Sequence, residues 1–160
     1  MQTKLEVATI KANTPPLGEL QVYWILSRNQ LEFILQDITV VRSPQRIAMA
    51  PYLDILIPVI NLEQHFGLRE TERRKSVKYL VIRAVTSGKS LVKVIIETAH
   101  VLKMQTLETG FAAASPLLSL PKNNDDHLGM YSMPDGSIGI VPDVAGITRS
   151  LKRGEGGRPV

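Results

Sequence analysis

Residues 53–68 of the chain, LDILIPVINLEQHFGL, combine a continuous apolar run with an immediate helix start. The run ILIPVI is interrupted only by Pro58, and such a stretch is typical of a strand buried on both faces, with its proline at an edge or a bulge. Asn61 then caps a short helix, Gln64 completes a capping box, and Gly67 ends the helix. The sequence therefore predicts a strand that passes directly into a capped helix.

The other apolar runs are short and rich in valine and isoleucine, which favours strands over helices. An early strand over residues 5–10 and a flexible arm over residues 1–16 are both compatible with the sequence. Residues 97–109 fit either a helix that stops at Gly110 or a turn followed by a strand, and periodicity alone leaves both open. Further strands are predicted over residues 21–26, 31–35, 38–42, 55–60, 77–85, 91–96, 100–104, 128–133 and 137–141.

Turn chemistry and patterning predict how these strands are arranged. Gly88 in Thr-Ser-Gly-Lys and Gly136 in Pro-Asp-Gly can supply the positive φ of two tight hairpins. The strand over residues 77–85 is apolar on both sides and needs cover on both faces, which favours small barrels packed together over one open sheet. Trp24, in a strand that should be mostly buried, is expected in the core.

A weak internal similarity supports two related halves. Residues 54–62 and 136–144 each run from a turn residue through an apolar strand to a capping side chain, Asn61 or Asp143. Two similar half-barrels would explain this similarity.

Length and composition favour a single domain in a reducing compartment. A chain of 160 residues suits one domain, and the absence of cysteine excludes disulfides and thiolate chemistry. The first residues lack the continuous apolar core of a secretory signal. The apolar stretch near residues 110–121 is too short and too rich in serine and proline to cross a bilayer. We expect a soluble, cytoplasmic protein without direct membrane insertion.

The positive charge is concentrated at the C-terminus. The net charge is +4, and residues 149–160 hold four basic residues against one acidic residue. Because residues 152–160 have almost nothing apolar to bury, they are expected to form a disordered basic tail. A tail of this kind is weak support for a nucleic-acid partner, and none is expected. A small β-barrel nucleic-acid module, motivated by a pI of about 9.5, is the alternative function.

The sequence offers no strong catalytic, cofactor-binding or metal site. Residues 88–90, Gly-Lys-Ser, end like a phosphate-binding loop, but Arg83 occupies the first glycine position and a strand follows. The three histidines are far apart, and Asp-Asp-His at residues 125–127 is expected to be a solvated loop. An enzyme with its site at residues 125–127 is the third, weakest hypothesis.

Four segments stand out in the order of the predicted strands: QVYWILSRNQLEFILQDITVVRSP, IPVINLEQHFGL, KYLVIRAV with SLVKVIIETAHVLKM, and HLGMYSMPDGSIGIVPDVAGI. These segments and the strand order resemble the CheW-like adaptor family of bacterial chemotaxis. The resemblance covers residues 17–151 and implies an all-β fold of two small SH3-like, five-stranded barrels with a shared core and short helices. It also favours the strand for residues 97–109. It implies a non-enzymatic adaptor without cofactors that joins a CheA-type histidine kinase to chemoreceptors at membrane-associated arrays.

By position, one edge resembles the surface that this family offers to the regulatory domain of the kinase, which has the same fold. Val40 and Val41 are adjacent on a short predicted strand, so one of them should face outwards beside an unpaired strand edge. Burial of both is the alternative. The kinase-binding edge implied by the resemblance consists of Ile38, Val40, Val41 and Arg42.

The receptor-binding region implied by position departs from the family pattern. Leu53 and Asp54 stand where the family usually has an Arg-Gly pair. Lys93 and Glu97 replace the glycine and the aspartate of a Gly-x-x-x-Asp strand. Loss of the arginine removes a cation for carboxylates of the receptor's cytoplasmic tip, and Asp54 reverses the local charge. The resemblance therefore implies a divergent member that serves another receptor class, motility process or signalling pathway.

Overall fold

The computed structural model of the protein describes residues 4–12, 21–68, 78–86, 88–108, 119–133 and 135–156. For residues 4, 5, 107, 108 and 152–156 this description covers the backbone alone. The helices are α1 (Leu62–His65) and α2 (Val144–Gly156), with 3₁₀ turns at Arg28–Gln30 and Asn124–Asp126. The strands are β1 (Lys4–Lys11), β2 (Val22–Ser27), β3 (Leu31–Leu35), β4 (Val41–Arg42), β5 (Ala48–Tyr52), β6 (Ile55–Ile60), β7 (Lys78–Val85), β8 (Leu91–Thr98), β9 (Lys103–Glu108), β10 (His127–Ser132) and β11 (Ile138–Pro142).

The strands form two mixed sheets. One has five strands in the order β10-β11-β2-β1-β9, and the other has six in the order β3-β7-β8-β6-β5-β4. Most neighbours are antiparallel, while β11 runs parallel to β2 and β6 runs parallel to β8. One sheet has the expected five strands and the other has six, and no pairing among the described strands closes either sheet into a barrel. The predominantly β composition was predicted correctly.

The two similar sequence segments have the same local structure. Strand β6 leads into α1, and the Asn61 carboxamide oxygen accepts a hydrogen bond from the Gln64 backbone N–H at 2.9 Å. Strand β11 leads into α2, and the Asp143 carboxylate accepts one from the Gly146 N–H at 3.1 Å. A Cβ on residue 146 would lie 2.6 Å from the Asp143 carboxylate, so a side chain there would displace the capping group. Each of these two strands also pairs in parallel with one neighbour, β11 with β2 and β6 with β8.

A shared core lies between the two sheets and the two helices. Trp24 of β2 is 2% exposed and its ring stacks on Phe66 with 5.5 Å between centroids, which confirms its place in the core. Leu80 and Ile82 of β7 face this shared core, whereas Val81 faces a smaller cluster on the other side of the six-stranded sheet. The prediction that this strand needs cover on both faces is confirmed. The smaller cluster contains Ala50 of β5 and Ile57 of β6, which are paired with each other, together with Val81 of β7 and Ile95 of β8.

Several element boundaries differ from the sequence-based predictions. Strand β1 lies between β2 and β9, so residues 4–11 form a strand and not a flexible arm. Of the predicted strand over residues 38–42, only Val41–Arg42 is paired. Residues 97–109 contain the end of β8 and the strand β9, so the helix alternative is wrong. Strand β5 was missed, as was α2, whose backbone reaches Gly156 and so includes part of the expected tail. Residues 157–160 of that tail lie outside the described residues.

The two predicted hairpins form, with one difference in backbone conformation. Gly136 has a φ of +86°, as its turn requires. In the hairpin between β7 and β8 the positive φ belongs to Lys89, at +63°, and not to Gly88. The turn is closed by the Lys89 N–H, which donates to the Thr86 carbonyl at 2.8 Å.

Candidate partner-binding surfaces

The first candidate surface is the β4 edge, which we define as Ile38, Val40, Val41 and Arg42. Strand β4 is the outermost strand of its sheet, so one row of its backbone N–H and C=O groups faces no other described strand. Val40 and Val41 are 48% and 41% exposed, so both reach solvent where the sequence predicted one. Arg42 is exposed, and Ile38 is half-buried against the small cluster behind the sheet. Of the predicted residues, Val41 and Arg42 lie on the edge strand itself, and Ile38 and Val40 lie in the segment that leads into it.

The β4–β5–β6 ribbon has an apolar face directed away from the core. Residues directly opposite in antiparallel strands share a face, as do residues two positions apart. Val41, Met49 and Pro58 therefore lie side by side across the three strands. Pro51 and Leu56 pair with each other two residues further along, and both are exposed. We call these five residues the outer apolar face, since the alternate residues of β5 and β6 face the buried cluster.

Leu53 and Asp54 form a two-residue hairpin loop between β5 and β6. Both have left-handed backbone conformations, with φ of +48° and +66°, in a turn that usually selects asparagine or glycine. A side chain with a Cβ in this conformation costs about 1 kcal/mol. Leu53 is nevertheless 72% exposed, so the loop holds an apolar side chain in solvent in a strained conformation. Strain of this kind concentrates at functional sites.

Lys93 supports the base of this hairpin. Its ammonium group lies 3.1 Å from the Glu32 carboxylate and 5.8 Å from the centre of the Tyr52 ring. A hydrogen bond from the Tyr52 hydroxyl, and then one from Lys93, lower the pKa of the Glu32 carboxyl. The same bond to Glu32 raises the pKa of the Tyr52 hydroxyl. Lys93 therefore interacts within the molecule, with Glu32 and Tyr52, and Tyr52 is the residue immediately before Leu53.

Glu97 occupies a different place. It lies on β8, four residues from Lys93, and its carboxylate accepts a hydrogen bond from the Asn61 carboxamide nitrogen at 3.2 Å. Asn61 thus joins the start of α1 to β8 while its oxygen caps the helix. The structure brings Leu53, Asp54 and Lys93 to one end of the ribbon, and it places Glu97 beside the helix cap.

A buried polar cluster was missed by sequence reasoning. The Asp126 carboxylate accepts a hydrogen bond from the Ser150 hydroxyl at 2.6 Å and lies 2.8 Å from the His65 ring nitrogen Nε2. Asp126 is 8% exposed, so the prediction of a solvated loop at residues 125–127 was wrong for this residue. The cluster ties α1, the 3₁₀ turn at Asn124–Asp126 and α2 together. Its members are far apart in the sequence, so no local sequence motif predicts that they meet.

The remaining chemical motifs have simple structural roles in the described residues. Lys89 and Ser90 belong to the hairpin between β7 and β8, and no helix follows them there. In the part of the chain that the structure describes, no group of three or more His, Cys, Asp or Glu side chains is arranged to hold a metal ion.

The fold resembles that of a scaffolding protein of known crystal structure. The scaffolding protein TtCheW from Thermoanaerobacter tengcongensis matches with a TM-score of 0.63 and 15% sequence identity, over 91% of this chain and 88% of that chain. The chain has a CheW-like fold. No protein-family model and no curated protein sequence matches it.

The β4 edge and the Leu53–Asp54 loop lie in the same sheet of this CheW-like fold. Both belong to the six-stranded sheet, at its outermost strand and at the end of its β5–β6 hairpin. Within the described residues, no helix has the length and apolarity needed to span a bilayer.

Proposed function

We propose that this protein is a non-enzymatic signalling adaptor that couples a CheA-type histidine kinase to chemoreceptors, in bacterial chemotaxis or a related motility or signalling pathway. In this role it acts in the cytoplasm at membrane-associated receptor arrays and needs no cofactor. The observation that carries the proposal is the outer apolar face beside the free β4 edge, on a CheW-like fold. A continuous exposed apolar surface of this kind is a feature of protein-binding sites.

The kinase's regulatory domain is assigned to the β4 edge and the outer apolar face. An unpaired strand edge offers main-chain hydrogen bonds, and the adjoining apolar residues offer area to bury. Val41 belongs to both surfaces, because it lies on the outermost strand and faces away from the core. It is therefore the residue whose substitution should weaken kinase binding most.

The receptor is assigned to the Leu53–Asp54 loop. Consecutive residues of a strand advance by about 3.3 Å, so the loop lies about 13 Å along β5 from Met49, which pairs with Val41. The assignment requires the kinase to bind at the β4 end of the outer apolar face, because Pro51 and Leu56 lie next to the loop. Leu53 supplies the exposed apolar contact, and Lys93 and Tyr52 hold the strand end beneath it.

Isothermal titration calorimetry with the regulatory domain of a cognate kinase tests the kinase surface. Val41→Lys places a charge on the outer apolar face and should weaken binding at least about tenfold, since burial of an unpaired charge is costly. The matched control is Val101→Lys, because Val101 is 68% exposed and lies outside the ribbon. Absence of a complex between folded proteins at high micromolar concentration, or equal losses in both variants, would contradict the assignment.

The nucleic-acid alternative gains no support from the described aromatic residues. Trp24 and Phe66 are buried and stack on each other, and Phe33 is the one described aromatic side chain that is more than half exposed. Single-stranded nucleic acids are bound by aromatic platforms within basic grooves. The adaptor function is therefore preferred.

A further inference from the structure

A groove on the inner side of the β4–β5–β6 ribbon lies between the ribbon and the two helices. Its volume is about 650 Å³, which is within the range of pockets that hold small ligands. The described residues that line it include three cations, Arg42, Arg46 and Lys122, and no aspartate or glutamate. We call this the basic groove. Arg42 points to it because Arg42 follows Val41 on β4 and therefore faces the opposite side from the outer apolar face.

The three cations have no carboxylate partner among the described residues. Other cations of the chain do form ion pairs, Arg28 with Glu6 and Lys93 with Glu32. Like charges that gather around a concave surface reinforce one another and attract a ligand of the opposite charge. The groove is therefore electrostatically complementary to an anionic partner.

Two of the cations are held in place by local backbone structure. Arg46 has a φ of +68° in the turn between β4 and β5, where its N–H donates to the Ser43 carbonyl at 2.8 Å. The stem of Lys122 packs over Gly67, where any Cβ would lie 2.9 Å from its Cγ. The Lys122 N–H also donates to the Phe66 carbonyl at 3.0 Å. These positions are fixed independently of any ion pair.

The lining favours a peptide over a nucleic acid. Gln64 adds a side-chain amide that can hydrogen-bond a peptide backbone. Asn123 adds its carboxamide oxygen, since its nitrogen donates to the His65 carbonyl at 2.8 Å. The only ring in the described lining is that of His65, which is 8% exposed and bonded to Asp126, so no ring is presented for a base to stack on. A groove of this volume is also much larger than one inorganic anion. The free edge of β4 runs beside it, where an extended segment can add main-chain hydrogen bonds.

We propose that the basic groove binds a short, extended acidic segment of a partner protein, with carboxylates that meet Arg42, Arg46 and Lys122. This site goes beyond the proposed adaptor function, because it uses the inner side of the ribbon and not the outer apolar face or the Leu53–Asp54 loop. It shares Arg42 and the free side of β4 with the surface assigned to the kinase, so Arg46 and Lys122 are the cations that belong to the groove alone.

Fluorescence anisotropy of the full chain with a short fluorescein-labelled polyglutamate peptide tests the proposal. Arg42→Gln, Arg46→Gly and Lys122→Met should each weaken binding about three- to tenfold. Binding should also weaken as ionic strength rises. Lys103→Gln is the matched control, since Lys103 is an exposed cation on β9 outside the groove, and it should leave the affinity unchanged.

Two of these variants separate loss of charge from loss of folding. Arg46→Gly removes the cation and also relieves a positive φ, so this variant should unfold at the same or a higher temperature. Lys122→Met keeps an apolar stem over Gly67. Weaker binding by variants of normal thermal stability therefore supports the groove as the site.

Three results would overturn the proposal. The first is no peptide binding at low ionic strength. The second is binding that all three groove substitutions leave unchanged, which would move the site elsewhere, such as to the C-terminal basic residues. The third is tighter binding of a single-stranded RNA than of the peptide, lost in the same variants, which would make the groove a nucleic-acid site. Arg46→Gly and Lys122→Met lie outside the β4 edge and should leave kinase binding unchanged, so failure of the adaptor function would be distinguished from failure of this site.

Discussion

At the scale of the residue, Leu53 combines backbone strain with exposure. We predict that the double change Leu53→Asn and Asp54→Gly, which installs a favoured turn pair, raises the free energy of unfolding by about 1 kcal/mol. The melting temperature should rise by about 2–4 °C. The same change should weaken receptor binding, because it removes the exposed leucine.

The matched control for this change is Leu91→Asn. Leu91 is 57% exposed but lies in the regular strand β8, so its replacement relieves no strain and should not stabilise the fold. Thermal denaturation followed by circular dichroism distinguishes the two variants. Equal stability changes in both would show that the Leu53–Asp54 loop carries no strain.

Glu32 gives a prediction about pH. Its pKa is lowered in the folded state, so its ionised form stabilises the fold above the ordinary carboxyl pKa of about 4.3, and this stabilisation is lost as the pH falls through the lowered pKa. Tyr52→Phe removes the largest cause of the shift and should raise the pKa of Glu32. The stability deficit of the variant should be largest near neutral pH and should shrink below about pH 4. NMR titration of the Glu32 carboxyl carbon measures the pKa, and an unchanged value would contradict the assigned hydrogen bond.

At the scale of the element, the His65–Asp126–Ser150 cluster holds two helices against each other. Asp126→Ala leaves the Ser150 hydroxyl and the His65 ring without their shared acceptor, so it should reduce the free energy of unfolding by about 2 kcal/mol or more. Asp125→Ala is an adjacent control, because Asp125 is exposed and should change stability by less than about 0.5 kcal/mol. Urea denaturation measures both, and similar costs would show that the cluster contributes little.

Sequence reasoning succeeded where local patterns decide an element. Strand β6 and its Asn61 cap follow from an apolar run and a capping residue, and both were predicted. The expected burial of this strand on both faces was wrong, because Ile55 and Leu56 are more than half exposed. Strand β5 was missed because Ala-Met-Ala-Pro-Tyr has weak strand propensity, and pairing with β6 across a two-residue loop stabilises it instead. Helix α2 was missed because its glycines lower the helix propensity of the segment. Asp143 had nevertheless been identified as a cap, and Val144 and Ile147 are buried in the shared core.

Prediction of the candidate surfaces was limited by tertiary structure. The β4 edge could be anticipated from position, and Val40 and Val41 are indeed exposed. The ion pair between Lys93 and Glu32 joins β8 to β3, and these strands are not adjacent in the sheet. No spacing in the sequence therefore predicts this ion pair. The outer apolar face likewise requires the register of three strands. Sequence reasoning placed Pro58 at an edge or a bulge and assigned no role to Pro51.

At the scale of the whole molecule, an adaptor must hold both partners at once. The β4 edge and the Leu53–Asp54 loop are about 13 Å apart along one ribbon, and the proposed function requires that occupation of one leaves the other accessible. We predict that the kinase's recruitment to receptor-containing vesicles rises and then falls as this protein is added. At excess, kinase and receptor each bind a separate copy, and bridging is lost.

Co-sedimentation of kinase with such vesicles measures this dependence. Val41→Lys should abolish recruitment while the adaptor itself still sediments, and the Leu53→Asn, Asp54→Gly variant should keep kinase in solution as a complex with the adaptor. Val101→Lys should reproduce the behaviour of the unmodified chain. If kinase instead displaces the adaptor from the vesicles, the two partners compete for one surface. The ribbon would then carry a single binding site, and coupling would have to arise from two copies of the chain.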